Sequence, residues 1–266
     1  MAAGRPFGRS GVESVKELEK KHVFITGGGS GVGAQTARLF AGSGALVTVV
    51  GRREDPLKQQ AENHGISYQI CDVTDPVSVA AAIEGARAVN GPISVCVANA
   101  GSVRTKPFAK MKIGEFSRML DVNLKGVFNV WQAALPDMQA SGWGRLIAVA
   151  SIAGLKGFPY AAGYVSAKHG VVGLTRSLAV ELAKTGVTVN AICPGYIDSP
   201  MLEGAVEIVS RNTGLTSEEV ARKMNEGNPQ GRLIECDEVA ETALWLCSKG
   251  ARSINGHTLA MTGGEI

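Results

Sequence analysis

His22-Val23-Phe24-Ile25-Thr26 runs directly into Gly27-Gly28-Gly29-Ser30-Gly31-Val32-Gly33. The first five residues are mostly β-branched or aromatic and read as a buried strand. The glycines read as a tight turn, and Val32–Ala41 reads as a helix. In an open α/β sheet this strand-to-helix junction faces the crevice where nucleotides bind. Glycines let backbone N–H groups approach a pyrophosphate closely, and the helix N-terminus adds favourable dipole charge. The pattern is G-x-x-x-G-x-G. It is not G-x-G-x-x-G, and it lacks the Gly-Lys-Ser/Thr ending of an NTPase loop. A glycine turn without a ligand is the plainer alternative.

Outward from this stretch, short apolar runs alternate with longer helical segments. Leu46–Val50, Ile93–Ala98, Leu146–Ala150, Val187–Ile192 and Thr258–Met261 read as strands. Pro76–Val89, Glu115–Gln139, Tyr164–Lys184 and Asp237–Cys247 read as helices. Apolar strands alternating with helices imply a parallel sheet covered on both faces. The fold expected is α/β: a single, doubly wound Rossmann-type parallel sheet over residues 21–266. Residues 1–20 are expected to be a partly flexible arm. The long, weakly patterned segment at 195–232 is expected to be a lid over substrate, with a short helix at Ser217–Met224.

The whole chain has 266 residues, of which 45% are hydrophobic and 19% charged, as befits a packed core. Its net charge of +3 and lack of a dense basic run argue against nucleic acid. Five scattered cysteines read as reduced thiols, and four distant histidines show no metal spacing, so no metal site is expected. No apolar run is long enough to span a membrane, and the N-terminus lacks a signal core, so a cytoplasmic protein is expected.

Three further groups of residues carry chemistry. The second strand ends in Gly51-Arg52-Arg53, where domains that bind NAD usually place an acidic residue. A guanidinium there can grip a 2′-phosphate, so NADP(H) is preferred over NAD(H), although two exposed arginines on a turn would look the same. Tyr164 and Lys168 share one helical face, and an ammonium beside a phenol favours its ionisation, which would make Tyr164 a general acid. Ser151 follows a strand's carboxyl end and can hold a carbonyl oxygen, or can serve simply as a turn cap. Arg104, Lys106, Lys110 and Lys112 could form a basic rim at the crevice mouth or be ordinary solvated charges.

Taken together, these motifs resemble the short-chain dehydrogenase/reductase family from about Lys20 to Gly264. Thr26-Gly27-x-x-x-Gly31-x-Gly33 resembles its cofactor loop, to which Gly29, Ser30 and Val32 also belong. Asp72-Val73 resembles its adenine-contacting pair, and Asn99-Ala100-Gly101 its Asn-Asn-Ala-Gly turn, with Ala98 in place of the first Asn. Asn123, Ser151, Tyr164 and Lys168 match its catalytic tetrad. Pro194-Gly195, with Ile197 and Ser199, matches the loop beside the nicotinamide; Ser199 stands where threonine is common.

The resemblance implies hydride transfer between nicotinamide and a carbonyl carbon, with Tyr164 donating the proton. It implies that Ser151 orients the carbonyl, that Lys168 holds the nicotinamide ribose and tunes Tyr164, and that Asn123 anchors a water linking Lys168 to solvent. Ala167–Thr175, Asn190–Gly195 and Gly231-Arg232-Leu233 are similar to the β-ketoacyl reductases, including polyketide ketoreductases. The activity expected is reduction of a 3-oxoacyl thioester or related ketone. A dehydrogenase of a free secondary alcohol is the alternative, and a non-catalytic dinucleotide-binding regulator a remote one. The resemblance also implies a homotetramer in which Glu115–Gln139 and Tyr164–Lys184 pair across a two-fold axis, with Ala133, Ala134, Gly170 and Gly173 permitting close approach.

Overall fold

The structure, a computed structural model, describes residues 17–266. Its strands are β1 (His22–Thr26), β2 (Leu46–Gly51), β3 (Ser67–Ile70), β4 (Ile93–Ala98), β5 (Gly144–Val149), β6 (Val187–Pro194) and β7 (Thr258–Met261). They form one parallel sheet in the order β3-β2-β1-β4-β5-β6-β7. The chain builds outward from β1 to β3, returns to β1's other side with β4, and then builds the opposite way. That reversal opens a crevice at the carboxyl ends of β1 and β4.

The helices are α1 (Gly31–Gly42), α2 (Glu54–His64), α3 (Pro76–Asn90), α4 (Ile113–Leu120), α5 (Gly126–Ser141), α6 (Ala162–Glu181), α7 (Pro200–Thr213), α8 (Ser217–Glu226) and α9 (Cys236–Trp245). Side chains alternate across the sheet, so each strand feeds both layers. Phe24 joins Trp131, Met138, Leu146 and Leu182 on the face carrying α3, α5 and α6. Val23 and Ile25 join Phe40, Leu57, Val239 and Leu246 on the face carrying α1, α2 and α9. All five residues of β1 are buried, which is why a strand covered on both sides reads as an unbroken apolar run.

Several boundaries differ from the sequence reading. Residues 1–16 of the expected arm lie outside the described residues. Residues 17–20 belong to the packed fold: Leu18 is buried in the core, and the Lys20 amide donates to the Gly44 carbonyl at 2.9 Å. The sequence reading passed over α2 and β3 because α2 buries only Leu57 and β3 is a partly exposed edge strand. The single helix expected over Glu115–Gln139 is broken by a π-helical turn, Asp121–Lys125, between α4 and α5. The small residues assigned to a subunit contact are mostly used within this chain. Ala134 is fully buried, and a Cβ on Gly170 would lie 2.6 Å from Leu124. Of the two glycines, Gly173 alone has open space where a Cβ would lie.

The segment at 195–232 carries two helices, α7 and α8, and its ends are drawn together. The Asp198 amide donates to the Ile234 carbonyl and the Ile234 amide to the Tyr196 carbonyl. Arg232 holds Glu238 of α9 through both carboxylate oxygens, which lowers the Glu238 pKa to about 2. No helix among the described residues is long and apolar enough to cross a membrane.

Beneath the sheet, His22 joins β1 to the end of α3. Its Nδ1 donates to the Gly91 carbonyl at 2.6 Å, and its Nε2 therefore accepts from Thr48 Oγ1 at 2.9 Å. Burial holds its pKa below the ordinary value of about 6.5. Above that value both the folded and unfolded chains keep a neutral ring. As pH falls below it, the unfolded chain takes up a proton that the folded chain resists, so stability is lost. The melting temperature is expected to drop between pH 7 and pH 5. In His22→Gln it should start lower and fall less over the same interval, as thermal unfolding at the two pH values will show.

Candidate active site

The crevice is fastened at its base by four hydrogen bonds, two to the Thr26 side chain and two from that of Asn99. Thr26 Oγ1 accepts from the Asn99 and Ala100 amides at 3.0 and 2.9 Å. Asn99 Nδ2 donates to the Thr26 and Gly27 carbonyls at 3.0 and 3.3 Å. The turn after β4 is thus held to the end of β1 although Ala98 carries no side-chain amide. Thr26, which heads the glycine-loop motif in the sequence, supplies the missing anchor, a role its position alone did not reveal.

The glycine loop passes over this base. Gly27 has φ of 68°, which favours glycine, and a Cβ on Gly33 would lie 2.3 Å from the Gly27 carbonyl oxygen. Gly28 is needed for packing: its Cβ would lie 2.5 Å from that of Val49 on β2. Ser30 starts α1 without a side-chain cap, and the first-turn amides of Gly31, Val32 and Gly33 have no partner within the helix. The start of α2 packs on the loop, with Pro56 3.0 Å from a Cβ built on Gly29. This brings Gly51-Arg52-Arg53 to the loop's edge, with both arginines exposed. Glu54 is engaged by the Tyr68 hydroxyl at 3.1 Å.

Asp72 and Val73 follow β3. Asp72 accepts from the Thr74 amide and hydroxyl, which together hold its carboxyl below the usual range, and Val73 is buried against Gly126.

Across the crevice, Ser151 follows β5 and caps a short 3-10 turn by accepting from the Ala153 amide at 3.1 Å. The turn packs flat on α6, because a Cβ on Gly154 would meet the Lys168 carbonyl at 2.8 Å. Tyr164 and Lys168 lie in the first two turns of α6. Lys168 is no solvated charge: it is 4% exposed and donates to the Val149 carbonyl at 2.9 Å. Burial pushes its pKa down to about 8. Burial raises that of Tyr164, and the adjacent Ser151 hydroxyl acts the other way. The expected lowering of Tyr164 by Lys168 is not what this geometry gives. The ammonium turns back to Val149 and sits 5.6 Å from the centre of the Tyr164 ring.

Asn123 is fully buried in the π-helical turn. It donates to the Ser102 and Met119 carbonyls and accepts from the Ser102 amide. Gly101 fits between it and Lys168: a Cβ there would lie 2.9 Å from Asn123 Oδ1 and 4.0 Å from Lys168 Nζ. Cys193 on β6 is a further neighbour, with its thiol pushed up to about 11 mainly by burial. Beyond β6, the Gly195 amide donates to the Met261 carbonyl, and Ser199 Oγ donates to the Ile197 carbonyl at the start of α7. Ser199 and Pro200 close over Gly31, 3.7 and 3.8 Å from its Cβ position. The structure therefore brings the glycine loop, Asn99–Gly101, Asn123, Ser151, Tyr164, Lys168 and Pro194–Ser199 around one crevice. Arg52, Arg53, Asp72 and Val73 lie along its β2–β3 side.

Residues 21–210 match the family model described as short chain dehydrogenase. The chain belongs to that family. It is 34% identical over 252 residues to a D-beta-hydroxybutyrate dehydrogenase of Rhizobium meliloti, covering 92% of this chain and 98% of that one. It is 37% identical to a cis-4-hydroxycyclohexanecarboxylate dehydrogenase of Sinomonas cyclohexanicum, covering 90% and 94%. Among solved structures it is similar to actinorhodin polyketide ketoreductase with NADPH, at 33% identity and a TM-score of 0.89, covering 92% and 97%. The chain is an oxidoreductase acting on hydroxyl or keto groups, which sets aside the reading as a regulator. The family uses a nicotinamide dinucleotide. The first-turn amides of α1, which have no partner within the helix, fit a pyrophosphate.

Asn123→Ala would leave the Ser102 backbone groups unpaired beside Lys168. A loss of about 2–3 kcal/mol in unfolding free energy is expected, measured by denaturant titration.

Proposed function

We propose that the chain is an NADPH-dependent reductase of 3-oxoacyl thioesters, yielding secondary alcohols. The observation that carries this reading is the grouping of Ser151, Tyr164 and Lys168 at the carboxyl ends of β5 and β6. Tyr164 is a phenol kept protonated by burial, with a proton to give. A bound nicotinamide supplies the hydride. Ser151 orients the ketone oxygen, Tyr164 gives that oxygen its proton, and Lys168 adds positive charge as the phenolate forms. Asn123 is best read as a positioning residue, since its amide is taken up by Ser102 and Met119.

Arg52 and Arg53 support NADPH: they border the glycine loop, and Glu54 is held by Tyr68. The domain takes in the residues from 17 onward, and α7 and α8 form the lid, a flap pinned at both ends by Ile234 and by Arg232–Glu238. Such a flap suits a substrate larger than a simple alcohol. Exposed Phe128 on α5 and Val180 on α6 support the homotetramer, and a cytoplasmic setting fits the cysteine usage.

The basic rim is weaker than the sequence reading had it. Lys106 is paired with Glu115 at 2.7 Å, which leaves Arg104, Lys110 and Lys112 as its exposed members. That pairing favours a second reading, a dehydrogenase of a free hydroxy acid or alcohol. Rates with acetoacetyl-CoA, acetoacetate and a cyclic ketone, each with NADPH and NADH, distinguish the two. Reduction of free acetoacetate but not of the thioester would overturn the first reading.

Tyr164→Phe is expected to keep cofactor binding and lose on the order of 10²–10⁴-fold in turnover. Lys168 is charged below pH 8, so kcat/KM for the cofactor, which reports ionisations of the free enzyme, should fall as pH rises through about 8. Arg52→Ala should raise the Michaelis constant for NADPH more than that for NADH, in steady-state assays of both cofactors. Equal effects would count against a 2′-phosphate contact.

A further inference from the structure

At the opposite end of the sheet from the crevice, the amino ends of β5 and β6 border a cavity of about 490 Å³. Lys21, Arg145, Lys249 and Arg252 line it, and the one carboxylate among the lining residues, Glu17, lies 3.4 Å from Lys249. Trp143 forms part of the wall. Lys21 Nζ and the Arg145 guanidinium carbon lie 4.8 and 4.4 Å from the centre of its ring.

Arg145 is only 5% exposed. Its Nη1 donates to the Gly144 and Gly186 carbonyls, at 2.7 and 3.4 Å, while its Nε has no partner among the described residues. Thr188, 8% exposed on the neighbouring strand, lines the same cavity, and its hydroxyl also has no partner among the described residues. Among the described residues, two buried polar groups without partners and four cations facing one carboxylate form an environment short of negative charge and of hydrogen-bond acceptors.

We propose that this cavity is a binding site for a small phosphate-bearing molecule. Arg145 and Lys21 face its phosphate from the Trp143 wall, and Lys249 and Arg252 close on it from the rim. A guanidinium and ammonium groups suit a phosphate dianion. The volume exceeds what inorganic phosphate needs and falls in the range of small-molecule sites, which leaves space for an organic body. The site is separate from the chemistry. Gly144 and Val187 begin the strands that end at Val149 and Pro194, so it lies about 20 Å from the crevice along β5.

The test uses thermal unfolding and tryptophan emission of the full chain, with glycerol phosphate titrated at constant ionic strength. A saturable rise in melting temperature is expected, roughly 5 °C at a hundred times the dissociation constant, with a change in emission that Trp143→Phe removes. The double variant Lys249→Glu, Arg252→Glu changes two exposed residues away from the crevice. It should lose the response while keeping the wild-type KM for the cofactor. Arg52→Ala should respond as the wild type does. Loss of the response in Arg52→Ala with retention in the double variant would place the phosphate at the crevice and overturn the proposal. An absent response, or an equal one to citrate, would overturn it as well.

Discussion

The Thr26–Asn99 clasp is the constraint on which the crevice depends. β1 and β4 are neighbours in the sheet, but their chains leave it in different directions, one into the glycine loop and the other toward α4. Four hydrogen bonds from one threonine and one asparagine hold those two exits together. Gly33 then packs onto the Gly27 carbonyl and Gly101 onto Asn123, so both walls of the crevice are built from the same clasp. Side chains are excluded at these glycines by contact distances well below van der Waals separation, not by a general need for flexibility.

Lys168 shows how the fold tolerates a charge where an apolar residue would pack more easily. Its ammonium is buried at a strand end and rests on one carbonyl, that of Val149. The result is a lysine whose pKa falls to about 8 and a tyrosine whose pKa rises, each mainly because water is excluded. The two groups therefore sit further apart on the pH scale than their free counterparts, whose values nearly coincide.

Much of the fold was legible because parallel strands buried on both faces leave unbroken apolar runs. β1, β4 and β7 have the bounds read from their residues, and β2, β5 and β6 differ by a residue or two. α2 and β3 were not legible. One buried leucine leaves a helix with little periodic signal, and an edge strand with partial exposure resembles a loop. The break at Asp121–Lys125 was hidden for another reason: a π-turn keeps the apolar pattern on either side and shifts only the phase. Of the two helices within 195–232, α8 was legible as a short helix starting at Ser217, whereas α7 was not, because none of its described residues is buried in the core.

The sequence by itself determined the fold class, the family and the residue types gathered at the crevice. Those follow from local spacing: a strand before glycines, Tyr and Lys one helical turn apart, Ser after an apolar strand. Only the tertiary structure decided what each side chain does with its polar atoms. Asn123 turned out to be occupied by Ser102, Lys106 to be neutralised by Glu115, and the Lys168 ammonium to rest on Val149 rather than on the Tyr164 hydroxyl. Hydrogen-bond partners and burial depend on segments far apart in the chain, so no local pattern encodes them. For the same reason Arg145 and Thr188 could not be paired from sequence: they lie on separate strands, and only register brings them side by side.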